Sequence, residues 1–257
     1  MVVKMIDAHA HLEFYKKEAE AIIEKARSRM KAIVDSITEY RKFHVWKSWE
    51  MLKPYFGFLF PTLGYHPNEA RRGNWEKVRK VEEFILDHKK EIYAIGEIGL
   101  DYYHAKTEVE RRNQEEIFRH FLTLAEELKL PVVIHAREAE DVALRILQNF
   151  DVKAYFHSYT GPVKVAREIV ENGHFVGIVT GITFIPEVRD VARALELENI
   201  LVETDSPYMS PYKGVKNKPW FVEVVINELA KIKEVPREEV EAITERNAKV
   251  FFGLPLV

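Results

Sequence analysis

Residues 132–135 read VVIH and residues 200–205 read ILVETD. In each, an apolar and largely β-branched run without polar alternation ends in an ionisable side chain. Runs of this kind suit strands covered on both faces, as in a parallel sheet. Six more occur along the chain, at Val2 to Asp7, Ala32 to Ile37, Phe56 to Gly64, Ile92 to Gly96, Lys153 to His157 and Phe175 to Gly181. Segments of helical period separate them. Trp75, Val78, Val81 and Ile85 follow a candidate Asn74 cap, and Ile117, Phe121, Leu124 and Leu128 repeat the spacing, as do Val142, Ile146 and Phe150. Val165, Ile169 and Val170 run into the stop Asn172-Gly173. Pro162, Pro186, Pro219 and Pro236 stand where first-turn prolines open helices. Tyr40 to Leu52 is aromatic-rich and poorly periodic, so that it fits a helix or an irregular segment. Eight strands at about 32 residues per unit predict an α/β fold, a single (β/α)8 TIM-like barrel spanning residues 1–257 as one domain.

Composition narrows the function classes. The 257 residues are 47% hydrophobic and 31% charged, with 11 Gly and 11 Pro, which excludes collagen-like, low-complexity and disordered chains. With no cysteine there is no disulfide frame, thiol nucleophile or thiolate metal site, so a metal must sit on His, Asp and Glu. A net charge of −3 gives no overall field for a polyanion, which would need local basic groups or bound cations. The sequence shows no secretion signal and no apolar stretch of membrane-spanning length, and we read it as cytoplasmic, without a membrane or an obligate protein partner.

A barrel of this type carries its chemistry at the C-terminal strand ends. There the chain places Asp7-Ala8-His9-Ala10-His11, Gly64-Tyr65-His66-Pro67, Gly96-Glu97 onward to Asp101, His135, His157 and Glu203-Thr204-Asp205. His9 and His11, two apart on a strand, project from one face. With Glu97, His135, His157 and Asp205 they form a candidate metal ring; the alternative is a set of polar fillers with hydrogen-bond partners. Six ligands exceed the three or four usual at one zinc and suit two metals bridged by a carboxylate, with Glu97 on the middle strand as the bridge. Asp205 can ligate and also accept a proton from an attacking water. Asp7 reads equally as a partner behind the ligands or as a structural carboxylate. His44, His88, His104, His120 and His174 read as surface or packing residues, and Arg71-Arg72 as a solvated pair.

The strings IDAHAHL, LGYHP, GEIGLDY, VIHAR, FHSYTG and ETDSP, in this order across nearly the whole chain, resemble the TatD-like DNase family of metal-dependent hydrolases within the amidohydrolase-type barrels. The resemblance implies a two-metal site hydrolysing phosphodiesters, usually DNA, with magnesium, manganese or zinc. It implies that His9, His11, Glu97 and Asp205 hold one ion and Glu97, His135 and His157 the other. His66, at the family's Gly-x-His-Pro position, would face the substrate phosphate or the shared water. Two stretches depart from the pattern. Ser36-Ile37-Thr38 replaces a Gly-Thr-Asp-like turn, and Lys216 and Lys218 stand where the family has Arg and Glu.

The catalytic set expected is thus Asp205, Glu97 and His66. Arg137, Lys216 and Lys218 are candidates for flanking phosphates and Tyr103 or Tyr208 for stacking on a base, against the plainer reading of each as a solvated or packed side chain. Two other readings remain open: a barrel hydrolase of lactones, cyclic amides or phosphotriesters, and a non-catalytic binding protein with a vestigial ring.

Overall fold

Why the inward positions carry the ring follows from strand register. The computed structural model describes residues 5–256, so Val2 to Lys4 of the first predicted run lie outside the described residues. The strands are β1 Ile6–Ala10, β2 Ala32–Glu39, β3 Leu59–Tyr65, β4 Ala94–Asp101, β5 Val132–Arg137, β6 Ala154–Phe156, β7 Phe175–Val179 and β8 Ile200–Glu203. They pair in chain order, every neighbour parallel. The seam between β8 and β1 closes just beyond β8: Ala10 bridges Ser206, His11 N–H donates to Ser206 O at 2.8 Å, and Asp205 N–H donates to His9 O at 3.0 Å. The helices are α1 Ala19–Arg27, α2 Val45–Leu52, α3 Pro67–Ala70, α4 Trp75–His88, α5 Glu108–Leu128, α6 Glu140–Leu147, α7 Val163–Glu171, α8 Pro186–Ala194, α9 Val222–Lys233 and α10 Arg237–Phe252. None is long and apolar enough to cross a membrane.

Two apolar layers result. Outward strand residues such as Ile33, Ile37, Leu63, Ile95 and Ile134 pack under the helices. Inward residues Ile6, Ala8, Val34, Phe60, Val133, Tyr155 and Leu201 fill the barrel, and Ala248, Phe251, Phe252 and Leu254 at the end of α10 plug its floor. With a period of two, the next inward positions after Val133, Tyr155 and Leu201 are His135, His157 and Glu203, and then Asp205. Apolar below and ionisable above is thus one alternation read up the barrel.

Two strands break that period. Between Ile95 and Ile98, β4 spends three steps where β5 spends two, from Val132 to Ile134. Both isoleucines pack outward, and the extra residue turns Glu97 into the barrel. Between Asp7 and Ala10, β1 does the same against β2, beside His9. Gly64 lets β3 approach: a Cβ there would lie 2.4 Å from the Gly96 carbonyl carbon.

Some expectations need correction. Glu97 lies inside β4, which continues to Asp101, rather than at a strand end, because the bulge keeps the ladder going. The third run begins as a strand only at Leu59, since residues 56–58 form a turn in which Phe56 bridges Leu59 and Phe58 N–H donates to Tyr55 O. Pro162 and Pro236 are the cap residues before α7 and α10, one position earlier than a first-turn proline, whereas Pro186 opens α8 and Pro219 a 3-10 turn. Phe150 lies beyond α6, whose buried face is Ala143, Leu144, Ile146 and Leu147. The aromatic-rich second unit resolves into a tight turn at Tyr40–Phe43 followed by α2.

Candidate metal centre

The six predicted ligands meet at the mouth of the barrel, around Glu97. Its two oxygens face different partners. Oε1 lies 2.7 Å from His135 Nδ1, 2.8 Å from His157 Nε2 and 3.5 Å from His66 Nε2. Oε2 lies 3.5 Å from His11 Nε2 and 3.9 Å from His9 Nε2. Asp205 Oδ1 completes the second group, 3.6 Å from His11 Nε2 and 3.9 Å from His9 Nε2. Among the described residues, three sets have donor atoms within 4.8 Å of one another: His9, His157 and Asp205; His9, His11 and Glu97; and His66, Glu97 and His135. His157 therefore adjoins both groups, its ring stacked on His9 at 4.0 Å.

Partners behind the ring fix several tautomers. His11 Nδ1 lies 2.9 Å from the Ser36 carbonyl, which can only accept, so Nδ1 carries the proton and Nε2 keeps its lone pair for a cation. His66 is the reverse: its Nδ1 accepts Asn68 N–H at 3.0 Å, so the neutral ring carries its proton on Nε2, the atom facing Glu97. His66 is therefore built to donate a hydrogen bond rather than to ligate. Asp7 accepts from Thr204 N–H at 2.9 Å, Thr204 Oγ1 at 2.5 Å and His9 N–H at 3.3 Å, which ties the two ligand-bearing segments of the seam together. Below the ring, buried Glu203 accepts from the Tyr155 hydroxyl and from Ser158 N–H beside His157. Asp205 holds φ at 53°, a left-handed conformation that Asp tolerates and that aims its side chain into the ring.

Electrostatics shows what the ring lacks. Burial drives His9 well below the ordinary imidazole range, His11 to about 4 and His66 to about 3, against the opposing pull of Glu97, so these rings are neutral at pH 7. Burial also pushes Glu97 upward, but His157, His66 and the hydrogen bonds from His135 and His157 outweigh it and hold the group well below the carboxylate range. His135 is lowered by burial yet raised further by Asp101 and Glu97, to about 10. Burial and then the charge of Glu97 raise Asp205 well above its ordinary value. Meanwhile Glu97 Oε2 is buried with no hydrogen-bond partner, and the Nε2 atoms of His9 and His11 stand 3.2 Å apart. Lone pairs and carboxylate oxygens that converge without enough protons fit divalent cations.

The ring forms the floor of a cavity of about 590 Å³. Arg137 and Tyr208 line it; Tyr103 does not, and instead carries the Arg137 guanidinium 3.8 Å above its exposed ring. Lys216 and Lys218 do not reach it. The first pairs with Glu18 at 2.8 Å on the surface, and the second lies over the Tyr15 ring. Arg71 and Arg72 are ion-paired with Glu110 and Glu69. His104, read as a surface or packing residue, in fact lines the cavity, its Nδ1 2.7 Å from Asp101 Oδ2. Asp101 also faces His135 Nε2 at 3.5 Å. Its position at the end of GEIGLD was the available signal for that role. Phe14 of the lining gave no signal, since it lies in the 3-10 turn after β1; Tyr40 directly follows β2 but is not ionisable near neutral pH, so the search for ionisable strand ends passed over it.

Comparison with known proteins agrees with this architecture. Residues 6–253 match the family described as TatD related DNase. An uncharacterized metal-dependent hydrolase of Methanocaldococcus jannaschii is 41% identical over 252 residues, covering 97% of each chain. The human deoxyribonuclease TATDN3 is 29% identical over 262 residues, covering 97% of this chain and 95% of its own. A crystal structure of YJJV, a TatD homologue from Escherichia coli, superposes with a TM-score of 0.88 at 25% identity over 99% of this chain and all of that one.

Proposed function

The chain belongs to the TatD related DNase family of metal-dependent hydrolases, and from that premise we propose that it hydrolyses phosphodiester bonds of DNA at a centre of two divalent cations. The observation that carries the reading is the orientation of Glu97, one oxygen toward His9 and His11, the other toward His135 and His157. His9, His11, Asp205 and Glu97 Oε2 would hold one ion; His135, His157 and Glu97 Oε1 the other. Four imidazoles suit zinc better than magnesium, which prefers oxygen, with manganese the third candidate. When bound, such ions polarise a phosphoryl oxygen and acidify water.

The chain's own groups supply the rest. Asp205 keeps 15% of its side chain accessible, the most open carboxylate of the ring, and accepts the proton of the water that attacks phosphorus as the P–O bond to the leaving oxygen breaks. His66 Nε2–H donates to a phosphoryl oxygen, and Arg137 offers a fork for a flanking phosphate. The deoxyribonuclease name of the human relative supports DNA as the substrate.

The test is metal analysis of the purified protein together with a cleavage screen of DNA, a lactone, a cyclic amide and a phosphotriester, each with zinc, manganese and magnesium. Two ions per chain and DNA cleavage are expected. A lactone consumed with DNA untouched would overturn the reading in favour of an amidohydrolase-type activity, and a metal-free, inactive protein would favour a binding role.

A further inference from the structure

The cavity has two unlike sides. Asn68, Asp101, His104 and Arg137 make one side polar; Phe14, Tyr40 and Tyr208 make the other aromatic. The aromatic side is continuous with the ring itself. Phe14 lies parallel to His11 at 4.7 Å, and Tyr40 packs on His66 at 4.4 Å. Phe43 backs Phe14 at 4.3 Å, and Tyr208 meets it edge-on at 6.0 Å.

Tyr40 of this wall, and Phe43 behind it, come from the turn at residues 40–43, in the unit where the sequence departs from the family pattern. Tyr40 and Phe43 exchange both backbone hydrogen bonds, at 3.1 and 2.9 Å, with Arg41 and Lys42 exposed at the tip and the Arg41 guanidinium folded back 4.8 Å over the Tyr40 ring. The turn is anchored. Buried Glu39 at its base binds His44 Nδ1 at 2.7 Å, Val45 N–H at 3.1 Å and Lys77 Nζ at 2.6 Å. Glu69 accepts Arg41 N–H at 3.2 Å. A short turn held from both ends, with Tyr40 on the cavity, Phe43 backing Phe14 and a basic tip, has the form of a preset recognition element.

We infer that this turn holds the nucleobase next to the scissile phosphate: the Arg41 guanidinium leaves the Tyr40 ring, over which it lies at 4.8 Å, to take the next phosphate outward with Lys42, and the base packs against Tyr40 and Phe14 in its place. The inference rests on the phosphodiesterase reading and deepens it. Stacking on aromatic faces beside cationic groups is how proteins hold the bases of an open strand without regard to sequence. A substrate without a planar base, such as a lactone or a sugar phosphate, would leave the wall unused.

The test measures binding apart from turnover. Phosphorothioate-linked hexathymidylate, which resists cleavage, and the same backbone bearing abasic residues are titrated into the metal-loaded protein by fluorescence anisotropy. The wild type should bind the base-bearing strand about 10-fold more tightly. Tyr40→Ala should reduce that ratio to about 2-fold, and Tyr40→Phe should keep it, which guards against a folding artefact. Replacing Arg41 and Lys42 by Ala should flatten the salt dependence of binding by a log–log slope of about 1.4. Equal weakening of both strands by Tyr40→Ala would overturn the inference. DNA cleavage without base-dependent binding would do so as well, leaving the phosphodiesterase reading intact. Base-dependent binding with no phosphodiester cleaved by any metal would refute that reading and uphold the wall.

Discussion

The two sides of Glu97 are built differently. On the side of His9, His11 and Asp205, the chain fixes each donor from behind: Ser36 O sets the His11 tautomer, Asp7 joins His9 to Thr204, and Asp205 N–H binds His9 O. On the other side His157 Nδ1 is buried without a partner, and His135 lies between Glu97 and Asp101 with 20% of its side chain accessible. One half is positioned by hydrogen bonds from the surrounding frame and the other mainly by its contacts with the carboxylates of Glu97 and Asp101. Pre-positioned ligands lose less freedom on binding, so the seam half should take the first and tighter cation.

The largest effect expected is on turnover. Asp205→Asn should lower kcat by about 10³-fold with bound metal retained, because its proton-accepting role is lost while an oxygen donor remains; kcat within 10-fold of wild type, with metal content confirmed, would remove that role. Next is the comparison itself. His9→Ala should weaken the tighter of the two binding steps by at least about 100-fold in a metal titration, and His135→Ala the weaker step. If both variants affect the same step, the two halves are one. Smaller again are the residues behind the ring. Asp7→Asn should cost about 10-fold or more in affinity for the tighter ion and about 1–3 kcal/mol of folding stability by urea unfolding, and Asp101→Asn should act on the weaker ion.

The smallest effect separates the acid response of the fold from that of the ring. His174, between α7 and β7, is lowered to about 4 by burial and then by Lys153, and its Nδ1 accepts Ala154 N–H. Its neutral form is the folded form. The stability it lends is complete above the unfolded value of about 6.5 and is lost as pH falls from there through 4. His174→Gln, which can keep the acceptor, should therefore make the protein about 1 kcal/mol less acid-sensitive at pH 5 after allowance for solvent screening. Urea midpoints at pH 7 and 5 measure it, and an unchanged difference between them would place the acid response elsewhere.

The barrel and the donors on β5 and β6 were legible because they obey one rule: a strand with a period of two carries its ionisable residue to the mouth, as Val133 leads to His135 and Tyr155 to His157. The bulges were not. Nothing in GEIGLD announces that β4 spends an extra residue to turn Glu97 inward, because the insertion is defined only against its partner strand. The Tyr40–Phe43 turn escaped for a related reason. Its Tyr40 shares a cavity wall with Phe14 and Tyr208 from other parts of the chain, so no local period marks it. Lys216 and Lys218 show the converse, basic residues in a plausible place whose partners, Glu18 and Tyr15, lie about 200 positions away in sequence.

The floor of the barrel is sealed by α10, and the first donors stand at residues 9 and 11 while the last stands at 205. Donors so far apart along the chain are neighbours only across the closed seam, so affinity for the ions should vanish together with the barrel on unfolding. By the same linkage a bound ion should raise the urea midpoint of the whole domain.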